Sequence, residues 1–277
     1  MSRTLRATTR QVILYILLVI VLLWILVPIV WMLLSSLKPT NAIFSSTPTF
    51  LFVPTLQHYI DVFTSGNGFS SYIVNSILAS GISTLISVGL GCFAGYGLAR
   101  AQFKGKDNLA FWIISTRMAP IAAVILPLYI GFRYLHLTNT LTGLIISYLT
   151  FNLPFAIWIM NAFFSDLPIS LEEAARVDGA GRWQTFWDIV LPLVAPGTAT
   201  TAILCLVFAW NDYSFAQTFA GPNSQTLPLS ASQLITQTGI DWGQLTAIGT
   251  IVALPMVVIG LAVRRWLVKG LTLGAVK

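Results

Sequence analysis

The sequence predicts an all-α, polytopic membrane protein with six transmembrane helices and both termini in the cytoplasm. Of its 277 residues, 56% are hydrophobic and only 9% are charged, and the mean hydropathy is +0.81. A soluble domain carries roughly 25% charged residues, so this chain has too few to cover a water-exposed surface. Six apolar runs are long enough to cross a bilayer, which takes about 20 residues. Nearly all lysines and arginines lie in the segments between runs that would face the same side of the membrane.

The apolar runs define the predicted helices in chain order. They are Val12–Leu34, Tyr72–Ala99, Leu109–Phe132, Leu141–Phe164, Ala195–Gln217 and Leu245–Trp266. Arginines precede the first run, as they do in a signal peptide, but the run is too long and no small-x-small cleavage site follows it. We therefore predict an uncleaved first helix and one transmembrane domain over residues 1–277.

The distribution of positive charge predicts the orientation of the helices. Cytoplasmic segments of membrane proteins are enriched in lysine and arginine. The outer segments would hold only Lys38 and Arg133. With the N-terminus inside, the inner segments would hold Arg3, Arg6, Arg10, Arg100, Lys104, Lys106, Arg176, Arg182, Arg264, Arg265, Lys269 and Lys277. Both termini and the segment 165–192 are thus expected in the cytoplasm.

Two longer segments are expected on the outer side. The first, residues 37–71, begins with a proline-containing irregular stretch. A short amphipathic helix is expected next, because four apolar residues recur at helical spacing. These residues are Leu56, Tyr59, Ile60 and Phe63. The second segment, residues 218–243, is rich in Gln, Ser and Thr and contains Gly221-Pro222, so we predict a loop that reaches outward.

The cytoplasmic segment 165–192 gathers charged residues in a chain that is otherwise nearly free of them. The stretch "SLEE" matches a capping box, in which Ser170 and Glu173 satisfy each other's backbone donors. Gly179 is placed to end the short helix that follows. This pattern leaves two interpretations open: a well-capped connection between two spans, or a rigid knob that docks on a cytosolic partner.

A second short helix is expected after Gly179. Four apolar residues share one of its faces, and large aromatic residues suit the headgroup interface. They are Trp183, Phe186, Trp187 and Val190. Pro192 is expected to end this helix before the fifth span begins.

The same segment resembles the EAA loop of ABC importer permeases. Glu173-Ala174-Ala175 is followed at the family's spacing by Gly179 and by Ile189-x-Leu191-Pro192, and the stretch "DGA" (Asp178 to Ala180) is similar to a variant found in sugar permeases. The stretch "FAWNDYSF" (Phe208–Phe215) resembles a fifth-span motif of carbohydrate permeases. The stretch "NSILAS" (Asn75–Ser80) resembles the start of their second span. The resemblance covers most of the chain.

The resemblance implies a type I ABC importer permease fold and, more narrowly, the second, six-span permease of the maltose-type carbohydrate group. Such importers lie in the prokaryotic cytoplasmic membrane. They combine two permeases as a heterodimer, two cytosolic ATPase subunits and an extracytoplasmic solute-binding protein. The short helix would be the coupling helix that sits in a cleft of the ATPase.

The resemblance also implies which residues couple this chain to the ATPase. Those that match the motif are Glu173, Ala174, Ala175, Asp178 and Gly179. We add their neighbours Glu172, Arg176, Ala180 and Arg182. The two arginines are added because exposed cations beside an acidic helix could pair with the ATPase surface, although exposed ion pairs contribute only about 0–1 kcal/mol.

The chain is not expected to be an enzyme or to bind a cofactor. It has no G-x-x-x-x-G-K-[ST] phosphate loop, so ATP and Mg²⁺ are expected on the partner ATPase subunits. No nucleophile–base constellation is evident. His58 and His136 are expected as isolated outer-surface residues without companion ligands, so no metal site is predicted. Cys92 and Cys205 lie in apolar runs, and a disulfide between them is not expected.

Ionisable and amide residues inside the predicted spans are candidates for a solute pathway, because unpaired charge in hydrocarbon costs several kcal/mol. Arg117 is expected eight residues into the third span, about 12 Å deep at 1.5 Å per residue. The other candidates are Asn75, Asn152, Asn161, Asn211 and Asp212. These residues would either line a path for a hydroxyl-rich solute or join helices through hydrogen bonds. Both interpretations remain open.

Two other functional classes fit a chain of this composition. An ion-gradient-driven secondary transporter more often shows an inverted internal repeat, and we find none. An intramembrane enzyme needs paired catalytic groups, and the sequence shows none. We therefore predict the permease subunit of an ATP-driven, binding-protein-dependent importer for a sugar, disaccharide or polyol. The stretch Ser115–Ile130 most resembles the polyol and disaccharide branches.

Overall fold

The chain consists of helices and one small hairpin in the computed structural model, which describes residues 3–64, 68–237 and 239–273. The helices are α1 (Arg3–Ser36), α2 (Thr40–Ile43), α3 (Gln57–Thr64), α4 (Phe69–Arg100), α5 (Lys106–Ser115), α6 (Ile121–Tyr134), α7 (Leu141–Ser165), α8 (Ile169–Val177), α9 (Arg182–Gln184), α10 (Leu191–Leu193), α11 (Ala195–Trp210), α12 (Ser214–Phe219), α13 (Leu227–Ser232) and α14 (Trp242–Leu273). A 3-10 turn covers Thr116–Met118, and a π-helical turn covers Thr185–Val190. Strands β1 (Ile235–Thr236) and β2 (Gly239–Ile240) pair antiparallel.

Four of the described helices are long and apolar enough to cross a bilayer by themselves. They cover Arg10–Ser36, Phe69–Arg100, Leu141–Ser165 and Trp242–Val263. Two further apolar segments are bent pairs of helices, Lys106–Met118 with Ile121–Tyr134 at 92° and Arg182–Leu193 with Ala195–Trp210 at 73°. Counting each pair as one span gives up to six.

The third predicted span, Leu109–Phe132, is therefore wrong as a continuous helix. The chain leaves the helical conformation at Ala119, which is extended (φ −63°, ψ 135°), and α6 starts anew after Pro120. The proline ring disfavours a helical conformation for the residue before it. The break also removes the basis for the predicted depth of Arg117, which assumed an uninterrupted helix.

The fifth predicted span, Ala195–Gln217, also consists of more than one helix. The helix α11 stops at Trp210, and α12 starts at Ser214. The carboxylate of Asp212 accepts hydrogen bonds from the backbone N–H groups of Phe215 (3.4 Å) and Ala216 (3.0 Å). Asp212 thereby satisfies donors in the first turn of α12, which lack partners within that helix.

The chain folds into two compact units. The single transmembrane domain predicted over residues 1–277 stays a prediction. The smaller unit comprises the described residues of 1–67 and 233–253, and the larger comprises those of 68–232 and 254–277. In the larger unit, one apolar cluster surrounds Leu144, Tyr148 and Phe219. A second cluster contains Met160 and Phe186.

Close packing of α4 on α7 depends on glycine. A Cβ atom built on Gly91 would lie 2.8 Å from the Cβ atom of Ala156, and one on Gly95 would lie 2.7 Å from the backbone nitrogen of Asn161. Small residues at such positions let two helix backbones approach each other.

We expect Gly95→Val to lower the amount of the chain found in the membrane, because the added side chain would meet the backbone of α7. Overpacking of this kind typically costs about 1–3 kcal/mol. Gly97→Val is the matched control, since a Cβ atom built two residues further along α4 meets nothing within 4 Å. Quantitative immunoblots of membrane fractions would measure the effect. Equal membrane levels for the two variants would contradict this packing argument.

The predicted helix of the first outer segment is confirmed as α3, but its buried face differs from the predicted one. His58 and Val62 are buried, whereas three of the predicted face residues, Leu56, Ile60 and Phe63, are more than half exposed. The expectation that His58 lies on the surface is wrong: it is 5% exposed, and its Nε2 atom lies 2.8 Å from the carbonyl oxygen of Lys38. The ring packs where Gly243 carries no side chain. His136 is exposed, as expected.

The second outer segment, residues 218–243, was predicted to be a loop that reaches outward. This prediction is wrong for residues 218–232, which pack against the helices and include α13. Leu227 and Ser230 are buried within α13. The Nδ2 atom of Asn75 donates to the carbonyl oxygens of Asn223 and Gln225 (3.0 Å each), and the N–H of Leu227 donates to Ser76 Oγ (2.8 Å). These side chains of α4 supply partners to the loop backbone and hold it against the bundle.

Candidate functional site

The helix α8 occupies the region of the resemblance, but its start differs from the prediction. It begins at Ile169 directly after Pro168, and no side chain caps its N-terminus. Pro168 takes the N-cap position in an extended conformation (φ −60°, ψ 128°), which places Ser170 inside the first turn. The predicted capping box of Ser170 and Glu173 is therefore wrong.

The prediction that Gly179 ends α8 is confirmed. Gly179 adopts φ +91°, a left-handed conformation that glycine reaches without strain. Its N–H donates to the carbonyl of Arg176 (3.1 Å), and the N–H of Ala180 donates to the carbonyl of Ala175 (2.9 Å). This pair of bonds is a Schellman motif, which satisfies carbonyls that the last helical turn leaves without partners.

The two faces of α8 differ in exposure. Glu172 and Ala175 are buried, at 1% and 5%. Glu173 and Ala174 are exposed, and Val177 is 88% exposed. Of the remaining predicted coupling residues, Ala180 is half-buried, and Arg176, Asp178, Gly179 and Arg182 are exposed. The helix thus presents one face of small, acidic and apolar residues, and the coupling role of these residues stays a prediction.

The buried face of α8 carries an ion pair to α4. Glu172 Oε1 lies 2.5 Å from Arg100 Nε, and Glu172 Oε2 accepts a hydrogen bond of 2.7 Å from the hydroxyl of Tyr96. Arg176 Nη2 lies 3.7 Å from Glu172 Oε2, and Arg100 Nη2 donates to the carbonyl of Leu167 (3.3 Å). Our sequence reasoning missed Tyr96 and Arg100. Their spacing of four residues at the end of a predicted span was the signal that could have found them.

The second short helix of the cytoplasmic segment continues past Pro192, contrary to the prediction. The π-helical turn leads directly into α10, and the chain bends only at Val194. Proline is tolerated in the first turn of a helix, where Pro192 lies. The four residues predicted on one face are divided: Phe186 and Val190 are buried, whereas Trp183 and Trp187 are more than half exposed.

A second candidate site lies at the break between α5 and α6. Arg117 is part of the 3-10 turn there, and its guanidinium carbon lies 4.2 Å from the ring centre of Phe208 and 4.4 Å from that of Phe155. Arg117 and Asp212 both line a cavity of about 240 Å³. The other residues that line it include Thr116, Thr150, Phe151, Phe208 and Phe215.

Arg117 and Asp212 share this cavity without forming an ion pair. Within the described residues, no carboxylate oxygen lies within 4.0 Å of the Arg117 guanidinium. Aromatic rings attract a cation placed over their faces, so Phe155 and Phe208 stabilise the charge. The rim of the guanidinium group carries five N–H donors. The cavity therefore combines donors, an acceptor and aromatic surface.

The predicted amide residues lie outside this cavity. Asn75 holds the loop after α12, and the fully buried Asn152 donates to the carbonyl of Cys205 (3.1 Å). Asn211 is exposed and donates to the carbonyl of Val207 (2.8 Å), and Asn161 is half-buried. Of the six predicted pathway residues, the structure brings together Arg117 and Asp212. The roles of all six in solute passage stay predictions.

Known proteins resemble the chain over most of its length. A family model described as "Binding-protein-dependent transport system inner membrane component" matches residues 87–273. The trehalose transport system permease protein SugB of Mycobacterium tuberculosis is 37% identical over 260 residues, 91% of this chain and 92% of that protein. The trehalose/maltose transport system permease protein MalG of Thermococcus litoralis is 33% identical over 261 residues, 91% of each chain.

Solved structures support the same fold. A chain of a bacterial ABC transporter involved in the import of the acidic polysaccharide alginate superposes with a TM-score of 0.76. The superposition covers 96% of this chain and 98% of that one at 23% sequence identity, which is evidence for the fold alone. The family match and the two relatives together show that the chain belongs to the binding-protein-dependent transport system inner membrane components, the membrane-embedded permeases of ABC transporters.

Proposed function

We propose that this chain is the membrane-spanning permease subunit of an ATP-driven, binding-protein-dependent sugar importer and that it shares its solute path with a second permease subunit. The observation that carries this proposal is α8, a short helix with one face fixed to α4 and the opposite face exposed. Family membership supports it, as do relatives named for trehalose and maltose transport. An ion-gradient-driven carrier has no support from these relatives.

In this proposal the chain crosses the cytoplasmic membrane of a prokaryote six times, with both termini inside. The two bent helix pairs each count as one of the six spans. The concentration of lysine and arginine in the segments assigned to the cytoplasm supports the orientation. The segment that contains α8 then faces the compartment that holds ATP.

The exposed face of α8 suggests how the subunits of the importer would share the work of transport. Two cytosolic ATPase subunits would bind ATP and Mg²⁺, and the exposed face with Glu173, Ala174 and Val177 would contact one of them. Ala175 is buried, so it would serve the packing of α8. An extracytoplasmic binding protein would deliver the sugar. A crystal structure of a bacterial alginate ABC transporter in complex with an alginate pentasaccharide-bound periplasmic protein has a chain of similar fold (TM-score 0.70, 18% identity).

The cavity beside Arg117 is suited to a sugar. A sugar presents hydroxyl groups, which donate and accept hydrogen bonds, and apolar C–H faces. Arg117 supplies donors, Asp212 supplies acceptor oxygens, and phenylalanine rings supply an apolar wall. The cavity volume of about 240 Å³ is below the range of about 300–1,000 Å³ typical of ligand pockets. The second permease would complete the site.

Reconstitution tests the proposed function. We expect the tagged chain to co-purify from its native membrane with a second permease and a pair of ATPase subunits. In liposomes, this complex should import radiolabelled trehalose or maltose only when ATP and the sugar-loaded binding protein are both present. The control is the same importer complex with an inactivating substitution in the nucleotide site of its ATPase subunits. Import that follows an ion gradient without ATP would contradict the proposal.

A further inference from the structure

The helix α3 presents three different faces. Successive residues of an α-helix are about 100° apart, so every third or fourth residue returns to the same face. One face is buried and carries His58 and Val62. A second face is exposed and polar, with Gln57 and Thr64. The third face is also exposed but apolar, and it carries Ile60, Phe63 and, directly before the helix, Leu56. An exposed apolar face beside an exposed polar one is typical of a helix that lies along a membrane surface.

The exposed apolar surface extends into the chain that precedes α3. Six residues, each more than half exposed, make up this apolar patch: Phe50, Leu51, Val53, Leu56, Ile60 and Phe63. Asp61 is the only Asp, Glu, Lys or Arg between residues 39 and 64 of the sequence. Soluble proteins rarely expose large apolar patches, and such a patch marks a surface that a membrane or another protein covers.

The apolar patch is fixed to the end of α1, which is long and apolar enough to cross a bilayer by itself. The hydroxyl groups of Ser36 and Tyr59 share a hydrogen bond of 2.8 Å. The rings of Trp31 and Phe50 pack edge to face with their centres 5.8 Å apart, and Lys38 Nζ lies 4.1 Å from the centre of the Trp31 ring. Tryptophan is enriched where a transmembrane helix meets the lipid headgroups. The patch therefore lies at the level where α1 leaves the hydrocarbon.

We propose that α3 is an interfacial anchor, which lies along the bilayer surface where α1 ends and inserts the apolar patch among phospholipids. In the predicted orientation this surface belongs to the outer leaflet. The patch continues the exposed apolar surface of α1, and the polar face with Gln57 and Thr64 turns toward water. Residues 50–64 contain no Lys or Arg, so the anchor would bind through apolar burial and would accept neutral and acidic headgroups alike. This inference does not depend on sugar import.

A phospholipid fits this surface better than a soluble partner does. An extracytoplasmic binding protein is soluble when undocked, so the surface that it offers is largely polar and needs polar groups opposite it. The patch offers few of them, because Asp61 is half-buried and its carboxylate already accepts a hydrogen bond from Gln57 Nε2 (2.7 Å). Acyl chains need no such partners, since they have no hydrogen-bonding groups.

Photocrosslinking in the native membrane tests the anchor. Replacement of Phe63 by p-benzoylphenylalanine probes the apolar face with little change of shape. The same replacement of Thr64 is the matched control, because Thr64 is also exposed but lies about 100° further round the helix. Cells are grown with radioactive phosphate, so that their phospholipids carry the label. We expect a labelled adduct at position 63 that phospholipase releases, and no adduct above background at position 64.

Access of water to the same two positions is a second measurement. Both cysteines of the chain are buried, so a membrane-impermeant maleimide should label Phe63→Cys and Thr64→Cys only at the new thiol. We expect Phe63→Cys to react about tenfold more slowly than Thr64→Cys, because an apolar environment disfavours the reactive thiolate. Membrane levels of the variants should match that of the parent chain, since both positions are exposed.

Several results would overturn the anchor. An adduct at position 63 with the second permease or with the binding protein, in place of lipid, would show that the patch is a protein interface. Equal lipid adducts at positions 63 and 64 would show that α3 does not insert by one face. Equal maleimide rates, or no lipid adduct at position 63 at normal membrane level, would also refute insertion. A failure of sugar import would refute the proposed function and leave these measurements unaffected.

Discussion

Gly179→Val is expected to abolish sugar uptake while the chain remains in the membrane. Gly179 closes α8 at φ +91°, and a Cβ atom built there meets nothing within 4 Å, so the damage comes from the backbone and not from a clash. A β-branched residue in this conformation costs about 1–3 kcal/mol. The last turn of α8 would relax and lose the Schellman bonds of Gly179 and Ala180. The exposed face would then no longer present Glu173 and Val177 in one fixed geometry.

Gly181→Val is the matched control for that experiment. Gly181 is exposed in the same connection, its φ of −70° and ψ of 164° suit a β-branched residue, and a built Cβ atom again meets nothing within 4 Å. We expect near-normal uptake from this variant. Glu173→Lys changes the exposed face without straining the backbone and should also lower uptake. Normal uptake in both Gly179→Val and Glu173→Lys, at normal membrane level, would remove α8 from the coupling mechanism.

Arg117→Gln is expected to lower sugar uptake at least about tenfold, or to change which sugar is preferred, while assembly is retained. A hydrogen bond to a charged group is worth about 1.5–3 kcal/mol, which corresponds to such a factor. The described residues place no carboxylate within 4.0 Å of Arg117, so within this part of the chain its removal leaves no buried anion unpaired. Uptake of trehalose, maltose and a polyol by reconstituted complexes would measure both effects.

Arg133→Gln provides the control for Arg117, because Arg133 is an exposed cation in the last turn of α6. Stimulation of ATPase activity by loaded binding protein should persist in Arg117→Gln. Loss of the complex from the membrane would show that Arg117 has a structural role instead, through Phe155 and Phe208 or through a carboxylate of the second permease. Wild-type uptake and sugar preference at normal membrane level would eliminate both roles.

The candidate site could be predicted only where its residues are neighbours in the chain. The spacing of Glu173, Ala174, Ala175 and Gly179 was sufficient for the resemblance, and Gly179 ends the helix as predicted. The capping box failed because a matching stretch does not reveal that Pro168 already starts the helix. The burial of Glu172 depends on Tyr96 and Arg100, which lie 76 and 72 residues away in sequence. The four-residue spacing of Tyr96 and Arg100 places both on one face of a helix, but no local pattern reports that Glu172 is their partner.

The sequence by itself determined that the chain is a helical membrane protein, where its apolar segments lie and which family it resembles. These properties follow from hydropathy, charge and motif spacing, which depend only on residues that are close together in the sequence. Only the tertiary structure decided that Arg117 and Asp212 share a cavity and that Asn75 holds the segment 221–227. A buried polar group must find a partner wherever the fold supplies one, and the partners of Asn75 lie 148 and 150 residues away.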